Sequence, residues 1–184
     1  PEPRMVTLEY SLSGKDGQTY RIETREITAH DPSLIKTVVD IDLMTWSEQT
    51  FSRYTAALML RYGRTFVLLA DGVPVGTCQC IRSWERPSEA VPFSISIRPG
   101  WRGRGLGTRF MQDVFVGLTK AGIRTVVLSV TADNPQGIDK YRELFGFQVV
   151  ETLPNEYGKK QDEVLMRKVL QPDLIPVREL PSPD

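Results

Sequence analysis

Cysteine and histidine are nearly absent from this chain. Its 184 residues hold two cysteines, Cys78 and Cys80, and one histidine, His30. So few soft ligands exclude a zinc or iron–sulfur framework and a disulfide scaffold, and no metal site is expected. At i and i+2 of a strand the two thiols share a face. Their backbone separation disfavours a mutual bridge, so they read as small buried hydrophobes in a reducing, cytoplasmic setting. His30 precedes Asp31-Pro32, a turn or helix start, and reads as a surface residue. Net charge is missing too: Lys+Arg and Asp+Glu are equal at 23 each. No global field therefore favours nucleic acid or anionic membrane. No apolar run approaches the roughly 18 residues that cross a bilayer. The opening Pro-Glu-Pro-Arg lacks the basic-then-apolar pattern of a signal peptide. No repeat is present. With 40% apolar and 25% charged residues, the composition is that of one globular domain with a substantial core.

What is present is punctuated. Residues 4–12 and 18–28 read as two strands joined by Gly14-Lys15-Asp16-Gly17, a hairpin signal. Asp31 or Ser33 is positioned to cap a helix carrying Leu34, Ile35, Val38, Val39 and Ile41. Thr45 with Glu48 reads as a capping box for a second helix running to about Tyr62. Strands follow over Thr65–Ala70 and Pro74–Ser83, joined by Asp71-Gly72. Phe93-Ser94-Ile95-Ser96-Ile97 alternates as a half-buried strand does. Downstream, Leu106, Phe110, Val114 and Leu118, widened by Met111 and Phe115, form the buried stripe of a helix. The strand Thr125–Val130, a short helix and strands over about 147–153 and 162–169 complete residues 1–170 as one domain. Residues 1–18 add an extra N-terminal strand. Residues 171–184 hold four of the 13 prolines and read as an extended tail.

Between the Phe93 strand and the Leu106 helix lies Arg102-Gly103-Arg104-Gly105-Leu106-Gly107. Glycines at such a joint let backbone N–H groups crowd a phosphate at a helix N-terminus, where the dipole also favours an anion. The arginines suit a polyphosphate. A nucleotide-hydrolase loop would need Lys-Ser or Lys-Thr after the glycines, and none is there. A dinucleotide fingerprint needs Gly-x-Gly-x-x-Gly, whereas Gly103, Gly105 and Gly107 give Gly-x-Gly-x-Gly.

Arg102, Gly105 and Gly107 do fit Arg-x-x-Gly-x-Gly, which resembles the pyrophosphate motif of the GNAT superfamily of acetyl-CoA-dependent N-acetyltransferases. A second block agrees: the strand ending at Val130, then Asn134, a helix with Tyr141, and Leu144-Phe145-Gly146-Phe147. The resemblance covers residues 20 to 169. It implies an α/β (α+β) GNAT fold, a mixed, mostly antiparallel sheet of about seven strands flanked by about four helices. It implies acetyl-CoA as co-substrate, with no metal. Ile95, Ser96 and Ile97 would pair with the pantetheine arm through backbone groups. Backbone N–H groups of Arg102, Gly103, Arg104, Gly105, Leu106, Gly107 and Thr108 would hold the pyrophosphate. Asn134 would lie near the active centre and Tyr141 beside the sulfur.

The implied reaction moves an acetyl group to a primary amine by direct attack on the thioester. A base or a water chain must take the ammonium proton, and an acid must meet the departing thiolate. Tyr141 is the candidate acid, with a merely packed tyrosine as the other reading; Asn134 doubles as a helix cap. Relatives resembling the ribosomal-protein N-acetyltransferases carry a Glu where this chain has Ser129. Glu89, 13 residues before Arg102, is the candidate base, with ordered water as its rival. The acceptor, a small molecule or a peptide or protein amine, is left open. Its expected region is Asp42–Phe51 and Leu153–Gln161, with Trp46 and Tyr157 lining a site or stapling loops. A rim of Glu48, Glu156 and Asp162 would suit a polyamine or amino-sugar. The alternative function is a non-catalytic acyl-CoA sensor. A nucleic-acid module built on Arg98, Arg102, Arg104 and Arg109 is disfavoured by neutral charge, and exposed sheet edges leave a homodimer open.

Overall fold

The structure, a computed structural model, describes residues 7–13, 17–27, 32–45 and 52–171. Two strands open the chain, β1 (Thr7–Ser13) and β2 (Thr19–Ile27), followed by helices α1 (Pro32–Leu43) and α2 (Arg53–Tyr62). Next come β3 (Arg64–Ala70), β4 (Val73–Arg82), β5 (Glu89–Ile97) and α3 (Leu106–Lys120). The last elements are β6 (Thr125–Thr131), α4 (Pro135–Phe145), β7 (Gln148–Leu153) and β8 (Glu163–Val169). One sheet of eight strands, ordered β1-β2-β3-β4-β5-β6-β8-β7, takes in every strand; β1, the extra N-terminal strand, pairs along the outer edge of β2 and makes one more than the about seven that the resemblance implies. The hairpin residues 14–16, His30, Asp31, Trp46, Glu48, Phe51 and the tail 172–184 lie outside the described residues.

Every pairing is antiparallel except that of β5 with β6. That parallel pair is held only at Glu89↔Thr125 and Ala90↔Val126. Beyond Ala90 the two strands part, so β5 keeps its partner β4 on one edge and, among the described residues, has no strand on the other. A bulge helps bend it: the register shifts between Gln79 and Cys80, which face Ser94 and Pro92, leaving Phe93 as the extra residue.

Alternation puts Ile22, Phe66, Leu68, Cys78, Cys80, Val126, Leu128 and Val130 on one face, in one core with Leu106, Phe110, Met111, Val114 and Leu118 of α3. Each such side chain contributes about 1.5–3 kcal/mol through burial. Cys78 and Cys80 are both free and buried, their sulfurs 3.9 Å apart. Gly117 marks where α3 lies closest to the sheet: a Cβ there would sit 2.5 Å from Phe66 Cε1.

The opposite face differs from the expectation. Ser94 and Ser96 occupy the polar side of the alternation, yet they are only 4% and 1% exposed. Thr65, Thr77 and Gln79 on β3 and β4 are buried with them, beneath α1 and α2. The layer is closed by hydrogen bonds. Thr65 donates to Gln79 at 2.7 Å, and Asp42 Oδ1, from α1, accepts from Thr77 at 3.0 Å and Ser94 at 3.1 Å. Two helix starts also move. Because α1 begins at Pro32, Ser33 lies inside it rather than capping it. For α2, Ser52 is the cap in place of the Thr45 box: its backbone is extended and its hydroxyl accepts from Thr55 N–H.

Candidate active site

The parting of β5 from β6 opens a cleft of about 420 Å³. Its walls include Ile95 and Ile97 of β5, Gly103, Gly105, Leu106, Gly107, Thr108 and Met111 at the start of α3, and Lys140, Tyr141 and Phe145 of α4. Arg102 lines it too, and Thr45 reaches it from the end of α1. A larger groove, about 540 Å³, runs along α3 between Gln112, Phe115 and Lys168; it holds none of the glycine-motif residues.

The cradle takes the shape its glycines allow. Gly105 caps α3 in the left-handed region (φ +73), and Gly103 is likewise positive (φ +74). A Cβ at either would meet no atom within 4 Å, so the requirement comes from the backbone and from the empty space in front of it. The result is a helix N-terminus whose first N–H groups face an open cleft. Leu106 turns its side chain into the core, which leaves its backbone for the cleft.

The arginines are already engaged. Arg102 donates from Nε to the Ile97 carbonyl (2.7 Å) and from Nη2 to Thr45 Oγ1 (2.9 Å). Arg104 folds over the Trp101 ring, 5.1 Å from its centroid, and donates to the Gly100 carbonyl. Arg104 is not among the cleft-lining residues, so the motif's positive charge is delivered mainly by the helix end and Arg102.

Tyr141 stands in the cleft wall against Phe145 and Phe147, ring centroids 6.0 and 5.7 Å away. Burial raises its phenol above the ordinary tyrosine value, with a smaller contribution from Cys78. It therefore stays protonated throughout the neutral range. Asn134 takes its capping role: its side chain accepts from Gly137 N–H at 2.9 Å at the start of α4, and it is not among the cleft's lining residues. Ser96 is buried on the α1 side, so any share it has in the cleft is through its backbone.

Glu89 is not brought to this cleft. It sits where β5 and β6 still pair, clasped by Arg86 (3.3 Å) and Arg167 (3.5 Å). That setting is an ion-pair cluster at the closed end of the sheet, remote in sequence along β5 from Ile95 and Ile97. On β6, Ser129 faces Tyr157 of the β7–β8 turn, hydroxyl to hydroxyl at 3.3 Å. Asp162 is spent on that turn, accepting from Asn155 N–H at 2.9 Å. No group of three His, Cys, Asp or Glu residues able to hold a metal occurs among the described residues, and no described helix is long and apolar enough to cross a membrane. Sequence reasoning put Asp42 and Thr45 in the expected acceptor region, but not Thr45 in the cleft wall or Asp42 buried against β4 and β5; the polar alternation Ser94, Ser96 opposite Thr77, Gln79 was the signal that something polar lies over this face.

Residues 28–147 match the Acetyltransferase (GNAT) family. An uncharacterized N-acetyltransferase of Methanocaldococcus jannaschii is 34% identical over 92 residues, 48% of this chain and 40% of its own length. The chain thus spans less than half of that relative. The [ribosomal protein bS18]-alanine N-acetyltransferase of Escherichia coli is 26% identical over 129 residues, covering 66% of this chain and 78% of its own. The crystal structure of that Escherichia coli enzyme superposes with a TM-score of 0.63 at 23% identity, over 80% of this chain and 94% of that one. An aminoglycoside 6'-N-acetyltransferase crystallised with coenzyme A gives 0.66 at 18% identity, over 80% and 97%. The family match spans well over half of the sequence, and the sheet, the splayed β5–β6 pair and the glycine cradle are arranged accordingly: the chain belongs to the GNAT acetyltransferase family.

Proposed function

We propose that the protein transfers an acetyl group from acetyl-CoA to a primary amine by direct attack on the thioester. The observation that carries this reading is the cleft itself, where a strand edge with no partner among the described strands, a glycine-built helix end and a half-buried tyrosine converge. The residues fit the co-substrate: the free edge of β5 offers backbone N–H and C=O groups to an amide-bearing arm, and the Gly103–Thr108 turn offers N–H groups to a pyrophosphate.

In the reaction the amine nitrogen bonds to the thioester carbon and the carbonyl oxygen gathers charge. Backbone N–H groups on the β5 edge stabilise that charge. As the carbon–sulfur bond breaks, the Tyr141 hydroxyl gives its proton to the thiolate. Asn134 holds the α4 start that carries Tyr141.

The proton leaving the amine goes to water. Glu89 is committed to two arginines, and no carboxylate is among the described residues lining the cleft. An amine that must lose its proton unaided reacts in proportion to its neutral fraction. An α-amino group, with a pKa of about 8, is roughly a tenth neutral at pH 7, whereas a lysine side chain near 10.4 is below about a thousandth. The acceptor is therefore an α-amine, on a peptide or a small molecule, in preference to a lysine. The named activity of the Escherichia coli relative, directed at an alanine, agrees with this.

Calorimetric titration with acetyl-CoA tests the first half, and mass spectrometry of an amine panel tests the second. Binding that disappears in Gly105→Glu, with an acetyl group gained by α-amines, is the expected result. Binding without transfer to any amine would convert the reading to an acyl-CoA sensor.

A further inference from the structure

We propose that Thr45 is a cofactor-binding residue supplied from the acceptor side of the cleft, its hydroxyl donating to an oxygen of bound acyl-CoA. The proposal rests on the reading above and adds to it a contact from α1, which the glycine motif does not include. Thr45 closes the last turn of α1, its N–H donating to the Asp42 carbonyl at 2.9 Å. It is exposed, and it lines the same cleft as Ile95, Gly105 and Tyr141.

The Arg102 guanidinium donates to Thr45 Oγ1 at 2.9 Å. A hydroxyl that accepts from a cation must turn its own proton away from it. That leaves an oriented O–H donor at the cleft wall, beside the glycine turn, with an arginine strengthening its acidity. The turn carrying it is fixed from behind. Asp42 is bonded to Thr77 and Ser94, and Arg98 Nη1 lies 3.8 Å from Met44 Sδ. A donor held this firmly loses little entropy on binding. Arg102 then acts as a strut between the cradle and α1 rather than as a free charge.

The test is calorimetric titration of CoA into the full chain and its variants. Thr45→Val keeps the shape and removes the donor, and CoA affinity is expected to fall by roughly 5- to 30-fold. Thr45→Ser restores the donor and binds within about twofold of wild type. Melting without CoA separates binding from folding: Thr45→Val melts with the wild type, yet gains less from saturating CoA. Wild-type affinity in Thr45→Val would overturn the proposal, as would equal loss in Thr45→Val and Thr45→Ser. Failure of the wild type itself to bind CoA would instead remove the acetyltransferase reading, and this contact with it.

Discussion

The Ser129 hydroxyl of β6 lies 3.3 Å from the Tyr157 hydroxyl of the β7–β8 turn. Tyr157 is 69% exposed, so this contact holds a solvent-facing aromatic against β6, the strand that parts from β5. Neither side chain of this pair is a carboxylate, which on the proposed reading leaves the amine's proton to water and shapes the first prediction.

The pH–rate profile should follow the acceptor amine. The rate with an α-amine is expected to rise through the amine's own pKa, with no separate limb at carboxylate pH. Glu89→Gln should superimpose on that profile. It should also lower stability by about 1–3 kcal/mol in urea, because Arg86 and Arg167 lose their charged partner. A shifted limb in the variant would return Glu89 to the chemistry.

Tyr141→Phe should lower kcat by about 10²- to 10⁴-fold while CoA affinity changes little, as loss of a general acid requires. Burial holds the phenol above its ordinary value, so the wild type should show no tyrosine limb up to the ordinary tyrosine range. Steady-state kinetics with paired titrations separates kcat from binding. An unchanged kcat would leave Tyr141 as wall packing.

Gly105→Ala should cost about 1–2 kcal/mol of stability, since an L-residue is forced to φ +73. It meets no atom there, so it should still fold. Gly105→Glu adds a carboxylate in front of the same N–H groups and should abolish CoA binding while leaving a cooperative melt. Retained affinity in Gly105→Glu would show that the glycine turn is not the cradle.

Asp42 gives a stability signature with a definite sign. Burial, the largest influence, raises its pKa, and hydrogen bonds from Ser96, Thr77, Ser94 and Gln79 only partly oppose this. The folded state then binds a proton more tightly than the unfolded chain does. Its contribution is fully present below the ordinary aspartate value and declines as pH rises from there through the raised folded value. Asp42→Asn should flatten that decline. Urea midpoints measured from about pH 4 to 7 check this, and equal slopes in both proteins would refute it.

Periodicity made much of this fold legible. The Leu106–Leu118 stripe and the glycine joint after Ile97 are local signals, and each is found where the residues place it. Less legible was the polar alternation of β5. A Ser-Ile-Ser-Ile pattern reads as half-buried, and only the tertiary covering by α1 shows that Ser94 and Ser96 face a buried aspartate. The partners of Arg102 were likewise not legible, because composition shows a cation and not the Ile97 carbonyl and Thr45 hydroxyl it bonds at the cleft wall. Glu89 was placed by its distance from Arg102 in sequence, but β5 is long enough to carry it to the closed end, where two arginines claim it.

The two residue pairs that join β5 to β6 have a mechanical meaning. The sheet resembles an open book whose spine has two stitches, and a ligand lying between the pages supplies the missing ones. Occupancy then becomes part of the binding: at a hundredfold excess over Kd a ligand adds about 2.7 kcal/mol to the resistance against unfolding. On the proposed reading, such a molecule is sturdiest while acetyl-CoA is plentiful, so its lifetime would register the supply of its own co-substrate.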